Sequence, residues 1–512
     1  MYEIIDLNPR DYQKSIFSTC KEKSSLVILP TGIGKTAISV MLSIYRLNTF
    51  KDSKVVICSP TKPLCSQHLK TFTEHTNIPK EKIILYTGAI KPKERIELWK
   101  HSTIIIATPQ TILSDLKNSR INMNDISLLT IDEAHRSRMK YANTIVASYY
   151  NNQSKFPLVL GLTASPGSSK EKIEEICTNL NIHSIEIRTE EDEDVKPYIK
   201  EKKINFVKIQ LPEEYKELKS LIEEVYLSSL ENLKAFGLTK PKKIVNKKDL
   251  LLLRKYIESQ LKEGNKAAYH GLSLVAQAMK LDHAVDLLET QGLEPLSEYW
   301  LKLKNDQTKA AKSIILNTLI QKAIIQTKEL IDKNNFHPKL TKLKSLIEDT
   351  LELDKNSRII IFANYRDTVK SIVNFLNKSN NIKSIELMGQ KEGITQKTQI
   401  DNIKKFDLGI YNVLVGTSIG EEGLHIGEAS IAIFYDSVSS EIRTIQRSGR
   451  VGRVKSGEVI FLMTEGSRDE AFYWVAKRKE KSMKKTVQQI KNKELSQSSL
   501  EDINDKSNIN RP

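Results

Sequence analysis

The chain has 512 residues, of which 39% are hydrophobic and 28% charged, with a mean hydropathy of -0.37. This length predicts about three domains, and the composition excludes a disordered chain and a membrane protein. The net charge of +16 and the pI near 9.3 favour a polyanionic partner such as nucleic acid, although a general lysine bias would produce the same composition.

Neither end of the chain predicts a membrane or secretory segment. No apolar run is long enough to span a bilayer, and the first residues, MYEIIDLNPRDYQ, lack the basic and then apolar layout of a signal peptide. We therefore expect a cytoplasmic protein without a membrane partner. The cysteines show neither paired metal spacing nor disulfide density, so we expect buried thiols and no zinc at Cys20, Cys58, Cys65 and Cys177.

Between residues 26 and 187, short apolar runs alternate with longer amphipathic stretches. The runs are SLVILP, KVVICSP, TIIIATP, LLTIDE and LVLGLTAS, and each ends among Pro, Thr, Ser, Asp or Glu. This alternation predicts a parallel sheet flanked by helices, with polar groups at the carboxyl edge, where open α/β sheets bind ligands. We assign residues 1–203 to this first domain, with the acidic run TEEDEDVKPYIKEKK as its exit.

Strand signals vanish from about Leu211 to Asn335, where apolar residues fall at helical spacing and lysine is frequent. We therefore predict an all-helical insertion over residues 204–335. The strand pattern returns in RIIIFAN, SIELMG, NVLVGTS, IAIFYD and EVIFLMT, so residues 336–475 form a second α/β domain. Residues 476–512 are predicted to be a basic helix followed by a disordered polar tail.

The stretch LVILPTGIGKT predicts a Gly-containing turn between a strand and a helix that begins near Lys35. Backbone N–H groups of such a turn, with the helix N-terminus, cradle phosphates, although Leu29 stands where the strict pattern has Gly. Lys35 would neutralise the β- and γ-phosphates of ATP, and Thr36 would offer its hydroxyl to Mg²⁺. The candidate contacts to ATP in this stretch are Thr31, Gly32, Gly34, Lys35 and Thr36.

The stretch LLTIDEAH places Asp132 and Glu133 at the end of an apolar strand. Asp132 can hold Mg²⁺ through water, and Glu133 can polarise the attacking water as general base. Taken alone the pair is as typical of a capped strand end. Together with the upstream phosphate loop it forms the second half of an ATPase site.

The stretch TIQRSGRVGR repeats arginine every three residues, at Arg447, Arg450 and Arg453. On a helix this spacing aligns the guanidinium groups along one side. Arginine fingers stabilise charge on the transferring phosphoryl group, an effect of about 10³–10⁵ in rate. A basic stripe on the surface is the alternative interpretation.

This ordered set of motifs resembles the superfamily 2 helicases, and DEAH at Asp132 to His135 is spelled as in many of them. PTGIGKT is similar to motif I and IDEAH to motif II, while PRDYQ resembles the adenine-reading Q motif, TAS motif III and QRSGRVGR motif VI. The roles implied by the resemblance are adenine contact for Arg10 and Gln13, coupling of hydrolysis to movement for Thr163 and Ser165, and catalysis for Gln446, Arg450 and Arg453.

The motifs that contact nucleic acid in that superfamily have counterparts as well. SPTKPLCSQH resembles motif Ia, TG the small motif after it, ATPQ motif Ib, IIIFANYRDT motif IV and VLVGTSIGEEGLHI motif V. Contacts of this kind hold the strand backbone without reading its sequence. The implied contacts are Thr61, Gln67, Gly88, Thr108, Gln110, Arg366 and Thr417.

Within the superfamily, VILPTGIGKT, GEEGL and the helical insertion are most similar to the helicase portion of archaeal Hef and its relative FANCM, with the RIG-I-like and Dicer helicases as wider neighbours. The implied fold is α/β, with two RecA-like parallel-sheet domains and an all-helical, thumb-like insertion between them that contacts nucleic acid. A solvated helical bundle is the alternative for the insertion. His425 replaces a usual Asp in motif V, and no nuclease signature follows motif VI, so endonuclease activity is not predicted for this chain.

The resemblance implies an ATP-dependent DNA helicase or translocase that uses Mg²⁺ and acts on single-stranded, forked or branched DNA in repair or at stalled replication forks, moving 3′ to 5′. A separate nuclease or a replication clamp is a possible partner. One rival is a duplex-RNA-stimulated ATPase of the RIG-I and Dicer type. The other is a non-catalytic clamp that binds branched nucleic acid by charge alone.

Overall fold

The computed structural model describes residues 1–139, 141–167, 169–199, 202–389, 395–417, 429–437, 440 and 457–509, with the backbone alone at 202, 243, 396 and 492–509. The first domain contains seven strands: β1 (Ser25–Ile28), β2 (Lys54–Cys58), β3 (Ile83–Tyr86), β4 (Ile104–Ala107), β5 (Ile126–Asp132), β6 (Val159–Thr163) and β7 (Ser184–Ile187). They form one parallel sheet in the order β3-β4-β2-β5-β6-β1-β7, so the carboxyl ends of all seven meet at one edge.

Helices cover both faces of this sheet because its central strands are apolar on both sides. The helices are α1 (Asp11–Cys20), α2 (Lys35–Thr49), α3 (Lys62–His75), α4 (Pro92–His101), α5 (Pro109–Lys117), α6 (Ala142–Gln153) and α7 (Lys170–Leu180). Two separate clusters of buried side chains result, one on each face of the sheet. The predicted parallel sheet is therefore confirmed, and β3 and β7 are additional strands that the sequence analysis did not identify.

The second domain contains β9 (Ile359–Phe362), β10 (Ser384–Leu387), β11 (Val413–Gly416), β12 (Ile431–Phe434) and β13 (Gly457–Thr464), each of them predicted. Its helices are α14 (Pro338–Leu353), α15 (Arg366–Leu376) and α16 (Gln396–Asp407). A sixth strand, β8 (Lys202–Ile209), pairs in parallel with β13, so the sheet order is β10-β11-β9-β12-β13-β8.

Strand β8 corrects the predicted start of the helical insertion. Residues 204–209 were assigned to the insertion but lie in the second sheet, where Phe206 stacks on Phe461 of β13 with ring centroids 5.6 Å apart. Several lysines interrupt the apolar pattern of this strand, because it is an edge strand with one partner. The chain thus enters the second domain before it forms the insertion.

The insertion itself is helical, as predicted. It contains α8 (Glu213–Leu233), α9 (Lys247–Lys262), α10 (Ala268–Thr290), α11 (Leu293–Asn305), α12 (Lys309–Leu316) and α13 (Thr318–Asp332). Leu218, Ile222 and Leu230 of the predicted apolar stripe are fully buried. They contribute to the two cores of the bundle, one formed with the last helices and one with α9 and the start of α10.

A buried polar joint fastens the end of α10 to the second domain. Gln291 donates to Oδ1 of Asp436 at 2.7 Å, the hydroxyl of Thr464 donates to the Glu289 carbonyl at 2.9 Å, and Arg468 forms an ion pair with Asp282. Groups of this kind are costly to bury unless they are paired. Their mutual satisfaction therefore connects the insertion to the second domain through specific contacts.

The stability of the protein is expected to depend on pH through Asp286, which lies in the same joint. Burial is the main cause that raises the pKa of Asp286 to about 6, while Arg468 acts in the opposite direction. Because this pKa lies above the unfolded value of about 3.9, the contribution of Asp286 to stability is complete below about pH 4 and is lost as the pH rises through about 6. The loss is at most about 3 kcal/mol.

Asp286→Asn is therefore expected to unfold at a higher urea concentration than the wild type at pH 8, and at nearly the same concentration at pH 4.5. Asp306→Asn is the control of opposite sign, because the ion pair with Lys280 lowers the pKa of Asp306 to about 2. Urea unfolding at the two pH values is the measurement. An equal loss of stability between pH 4.5 and pH 8 in wild type and Asp286→Asn would contradict the expectation.

One long C-terminal helix, α17 (Arg468–Ile509), joins the two α/β domains. It begins in the joint of the second domain, and its Met483 and Val487 enter the hydrophobic core of the first domain with Ile187 of β7. Lys491 forms an ion pair with Asp192. The predicted helix thus starts at 468 rather than 476, and the tail predicted to be disordered is helical to Ile509, because no Gly or Pro interrupts residues 468–509.

Among the described helices, none is both long and apolar enough to cross a bilayer. The four cysteines all lie in described segments and form no disulfide there. Three are buried, whereas Cys177 is partly exposed, so the expectation of a buried thiol is wrong at that position.

Candidate ATP and nucleic-acid site

The phosphate loop lies between the end of β1 and the start of α2. Gly32 and Gly34 have φ values of 82° and 87°, in the left-handed region that favours glycine. A Cβ on Gly34 would lie 2.7 Å from Nε2 of Gln13, so a larger residue would have to displace that side chain as well as adopt the left-handed backbone. Leu29, which replaces the first glycine of the strict pattern, is buried and donates its N–H to the Thr163 carbonyl at 3.1 Å.

Lys35 and Thr36 are the first two residues of α2, as the sequence predicts. Nζ of Lys35 donates to the carbonyls of Leu29 and Pro30 at 3.3 and 3.2 Å, which holds the ammonium group over the loop. The side chain of Thr36 is partly exposed at the helix N-terminus, where backbone N–H groups and the helix dipole favour anions. Thr31 is also partly exposed, and the loop is thus open to a phosphate chain.

The Q-motif residues contact the phosphate loop directly. Gln13 donates to the carbonyls of Ile33 and Gly34 at 3.3 and 3.0 Å, and Arg10 donates to the Ile33 carbonyl at 3.4 Å. The guanidinium carbon of Arg10 lies 4.2 Å from the ring centroid of Tyr198, close enough for a cation–π contact. Sequence analysis missed Tyr198 because it is 188 residues away from Arg10 along the chain.

Asp132 ends β5 at the same edge of the sheet. Its Oδ1 accepts the N–H of Glu133 at 3.0 Å, while its Oδ2 accepts from Oγ of Ser59 at 3.0 Å and lies 3.0 Å from Nε2 of His68. Burial would raise the pKa of Asp132, but the hydrogen bond from His68 and the positive charge of Lys35 outweigh burial and lower the pKa below its usual value. The carboxylate is therefore ionised near neutral pH.

Glu133 has a left-handed backbone with φ 51°, which is costly for a non-glycine residue and is typical of functional sites. Its side chain is 18% exposed, and Oε2 lies 3.2 Å from Nδ1 of His135 without forming a hydrogen bond to any described group. One carboxylate oxygen thus retains its full capacity to accept a proton from water.

Motif III contacts motif II through His135. Nδ1 of His135 lies 3.1 Å from Oγ1 of Thr163, and Oγ1 of Thr163 also accepts the N–H of Ser165 at 3.2 Å. Both motif III side chains are buried, and Oγ of Ser165 has no hydrogen-bond partner among the described residues. The structure therefore brings the two candidate coupling residues against the DEAH segment.

These residues fit Mg²⁺ bound together with ATP. Thr36 offers a hydroxyl and Asp132 an oriented carboxylate, which matches the preference of Mg²⁺ for one or two protein oxygens beside substrate phosphates and water. Within the described residues, no cluster of three or more His, Cys, Asp or Glu is placed to hold a metal without the nucleotide. The candidate metal position therefore depends on the phosphates.

The candidate nucleic-acid contacts of the first domain follow the ends of three adjacent strands. Thr61 caps α3 after β2, Thr108 precedes α5 after β4, and Gly88 follows β3. Gly88 is exposed, as are Gln67 on α3 and Gln110 on α5. Strands β3, β4 and β2 are neighbours on one side of β5, whereas β1 lies on its other side. One edge of the sheet thus carries both sets of candidate residues.

In the second domain, Arg366 begins α15 after β9 and donates to the Gly389 carbonyl after β10 at 3.1 Å. Thr417 follows β11 and is 7% exposed, so most of its side chain is covered. Gln446, Arg450 and Arg453 lie outside the described residues, as do Arg447 and His425.

Comparison with known proteins gives three family matches. They are DEAD/DEAH box helicase over residues 10–173, the helical bundle of a putative ATP-dependent RNA helicase over 214–332, and the helicase conserved C-terminal domain over 338–455. Among solved structures, the Hef helicase domain of Pyrococcus furiosus is 44% identical with a TM-score of 0.71, over 91% of this chain and 98% of that one.

Among curated relatives, the putative ATP-dependent RNA helicase MJ1505 of Methanocaldococcus jannaschii is 42% identical over 94% of this chain and 61% of its own length. The ATP-dependent DNA helicase mph1 of Neurospora crassa is 32% identical over 91% of this chain and 42% of its own. The DEAD-box ATP-dependent RNA helicase FANCM of Arabidopsis thaliana is 33% identical over 90% of this chain and 35% of its own length. The chain spans less than two thirds of each of these relatives. Since its match to the Hef helicase domain extends over nearly all of both chains, this protein belongs to the DEAD/DEAH box helicases of the Hef and FANCM type.

Proposed function

We propose that this ATP-dependent helicase is a DNA translocase that moves 3′ to 5′ along a single strand and acts on forked or branched DNA in repair or at stalled replication forks. The observation that carries the proposal is the shared edge of the first sheet. The phosphate loop and DEAH segment occupy the ends of β1 and β5, and the candidate strand contacts occupy the ends of β2, β3 and β4. Binding or hydrolysis of ATP can therefore affect the candidate contacts to the DNA strand through a single sheet.

In the proposed mechanism, the two α/β domains close on ATP. Lys35 would neutralise the β- and γ-phosphates, Thr36 and Asp132 would hold Mg²⁺, and Glu133 would take the proton of the attacking water. Bound Mg²⁺ would supply positive charge at the phosphate oxygens. Arg450 and Arg453, with Gln446, would complete the site from the second domain and stabilise charge on the transferring phosphoryl group.

Movement along DNA requires that the two domains grip the strand separately. The first domain would hold the backbone through Thr61, Gln67, Gly88, Thr108 and Gln110, and the second through Arg366 and Thr417. Closure on ATP brings the two grips together, and opening after hydrolysis moves one grip along the phosphates. The contact of His135 with Thr163 supports a coupling role for Thr163 and Ser165.

The tip of the insertion supports branched DNA as the substrate. Residues 234–270 contain ten Lys or Arg and three Asp or Glu, and two tyrosines there are more than half exposed: Tyr256 at 54% and Tyr269 at 66%. Positive charge attracts phosphate backbones, and exposed aromatic rings stack on unpaired bases. A second nucleic-acid arm at a junction would meet both at this tip.

A separate nuclease or a replication clamp remains our proposed type of partner, and the cytoplasm our proposed location.

A duplex-RNA-stimulated ATPase is a second candidate, because MJ1505 and the Arabidopsis FANCM carry the term RNA helicase in their names whereas mph1 is named a DNA helicase. The names of the relatives thus differ over the polymer. We favour DNA because the name ATP-dependent DNA helicase recurs among the matched relatives, in Neurospora crassa, Sclerotinia sclerotiorum and Aspergillus niger.

Steady-state ATPase activity with no polymer, single-stranded DNA, forked DNA and duplex RNA, each at two salt concentrations, tests the proposal. We expect forked DNA to raise kcat and high salt to weaken the apparent affinity for it, since each released counterion makes binding salt-dependent. Stimulation by duplex RNA alone would reject DNA as the substrate. Polymer binding without ATPase activity in any arm would support the non-catalytic clamp instead.

A further inference from the structure

The Ia segment, residues 59–68, contacts the candidate Mg²⁺ ligand Asp132 at two points. Oγ of Ser59 and Nε2 of His68 each lie 3.0 Å from Oδ2 of Asp132, and the N–H of Glu133 lies 3.0 Å from Oδ1. A carboxylate accepts roughly four hydrogen bonds, so about one position is left for a metal-bound water. The direction of that position is set by the three donors.

His68 makes this contact from inside the first domain. Its side chain is 5% exposed, and Nδ1 has no hydrogen-bond partner among the described residues. Since an ionised carboxylate only accepts hydrogen bonds, Nε2 of His68 carries a hydrogen and donates a hydrogen bond to Asp132. An apolar side chain of similar size would avoid the cost of burying an unpaired ring nitrogen, so packing alone does not account for histidine at this position.

The same helix carries two of the candidate strand contacts. Thr61 caps α3, and Gln67, the residue before His68, is exposed to solvent. Cys65 and Phe72 of α3 are fully buried, so the helix is packed into the core of the first domain. A shift of α3 by a fraction of an ångström on binding a strand would therefore change the hydrogen bond between His68 and Asp132.

We propose that His68 is a positioning residue that holds Asp132 in the orientation needed for Mg²⁺ and thereby links polynucleotide contact at the Ia segment to the nucleotide site. This inference rests on the proposed function, because it assigns a polynucleotide to the exposed face of α3. The link is made by a direct side-chain contact and does not require movement of the second domain.

Equilibrium binding of the full chain tests the inference without relying on turnover. Affinity for AMPPNP is measured with Mg²⁺ and with EDTA, and affinity for single-stranded DNA is measured with and without Mg·AMPPNP. The variants are His68→Ala, His68→Gln and His68→Asn. The amide nitrogen of Gln can take the place of Nε2, whereas the side chain of Asn is too short for its amide nitrogen to reach Asp132. His75→Ala, at the end of the same helix, is the control.

We expect Mg·AMPPNP to tighten DNA binding of the wild type within the usual range of roughly 5–150-fold. His68→Ala and His68→Asn should reduce that ratio at least threefold and weaken AMPPNP binding with Mg²⁺ but not with EDTA, whereas His68→Gln and His75→Ala should resemble the wild type. If the alanine variant fails to fold, the contrast between Gln and Asn decides. Equal behaviour of His68→Gln and His68→Asn, or an unchanged Mg²⁺ effect in both Ala and Asn variants, would overturn the inference.

The two readouts separate this inference from the proposed function. A wild type that responds to duplex RNA but not to DNA would reject the DNA assignment, and the same variants would then be compared with RNA. A wild type whose nucleotide affinity responds to no polymer would reject both the proposed function and the link to the Ia segment. The Mg²⁺ dependence of AMPPNP binding would then still report on His68 as a positioning residue for Asp132.

Discussion

Glu133→Gln is expected to lower kcat for polymer-stimulated ATP hydrolysis by about 10²–10⁴-fold, the usual contribution of a general base. Glutamine has nearly the same shape as glutamate but cannot accept a proton from water. Oε2 forms no hydrogen bond to a described group, and the substitution changes only its contact with Nδ1 of His135 at 3.2 Å. The left-handed backbone of residue 133, with φ 51°, should be about equally costly for glutamate and glutamine, since the two side chains differ only at their ends.

Binding of ATP should survive this change, since in the proposed mechanism Lys35 and the phosphate loop would provide the main contacts to the phosphates. Steady-state ATPase assays give kcat, and a fluorescent ATP analogue gives the affinity. Glu174→Gln, on α7 at the surface, is the control because its carboxylate forms only an exposed pair with Lys170, and its kcat should equal that of the wild type. A Glu133→Gln enzyme with wild-type kcat would remove Glu133 from the mechanism.

Lys339→Met is expected to destabilise the protein by about 3–5 kcal/mol, the usual effect of removing one partner of a buried ion pair. Nζ of Lys339 is buried, donates to the Tyr435 carbonyl at 2.9 Å and pairs with Asp469, whose side chain is 2% exposed. Methionine fills most of the same volume but leaves the Asp469 carboxylate buried without its cation. The loss lies in the joint where α14, α17 and the insertion meet.

Urea unfolding of the wild type and of Lys339→Met measures this loss. Lys344→Met is the matched control, because Lys344 lies on the same helix with its side chain 36% exposed and pairs with Glu348 at the surface. Exposed pairs of this kind contribute about 0.3–0.5 kcal/mol. The double substitution Lys339→Met and Asp469→Leu should recover part of the stability, since it removes the stranded charge. Similar losses in Lys339→Met and Lys344→Met would contradict the argument.

Local sequence pattern was sufficient to predict most of the fold and to identify the residues of the candidate nucleotide site. Ten of the thirteen strands in the described residues follow apolar runs identified in the sequence, since most residues of these runs are buried in a parallel sheet. The phosphate loop was recognisable because its glycines, lysine and threonine are consecutive. The DEAH segment likewise directly follows its strand, and the structure places both at one sheet edge.

Contacts between distant parts of the chain could not be predicted from the local sequence pattern. Strand β8 pairs with β13 across about 250 residues, and its lysines conceal its apolar face. Ser59 and His68 contact Asp132, and Tyr198 contacts Arg10, but a hydrogen bond or stacked ring between remote residues leaves no periodic signal in either segment. The return of α17 to the first domain is of the same kind.

The sequence by itself thus determined the secondary structure of the two α/β domains, the helical insertion and the identity of the ATP motifs, because propensity, apolar spacing and consecutive motif residues are local properties. The tertiary structure alone decided which sheet receives β8, how the insertion is joined to the second domain and which side chains contact Asp132. These features depend on how separate segments pack, and packing is a property of the folded chain as a whole.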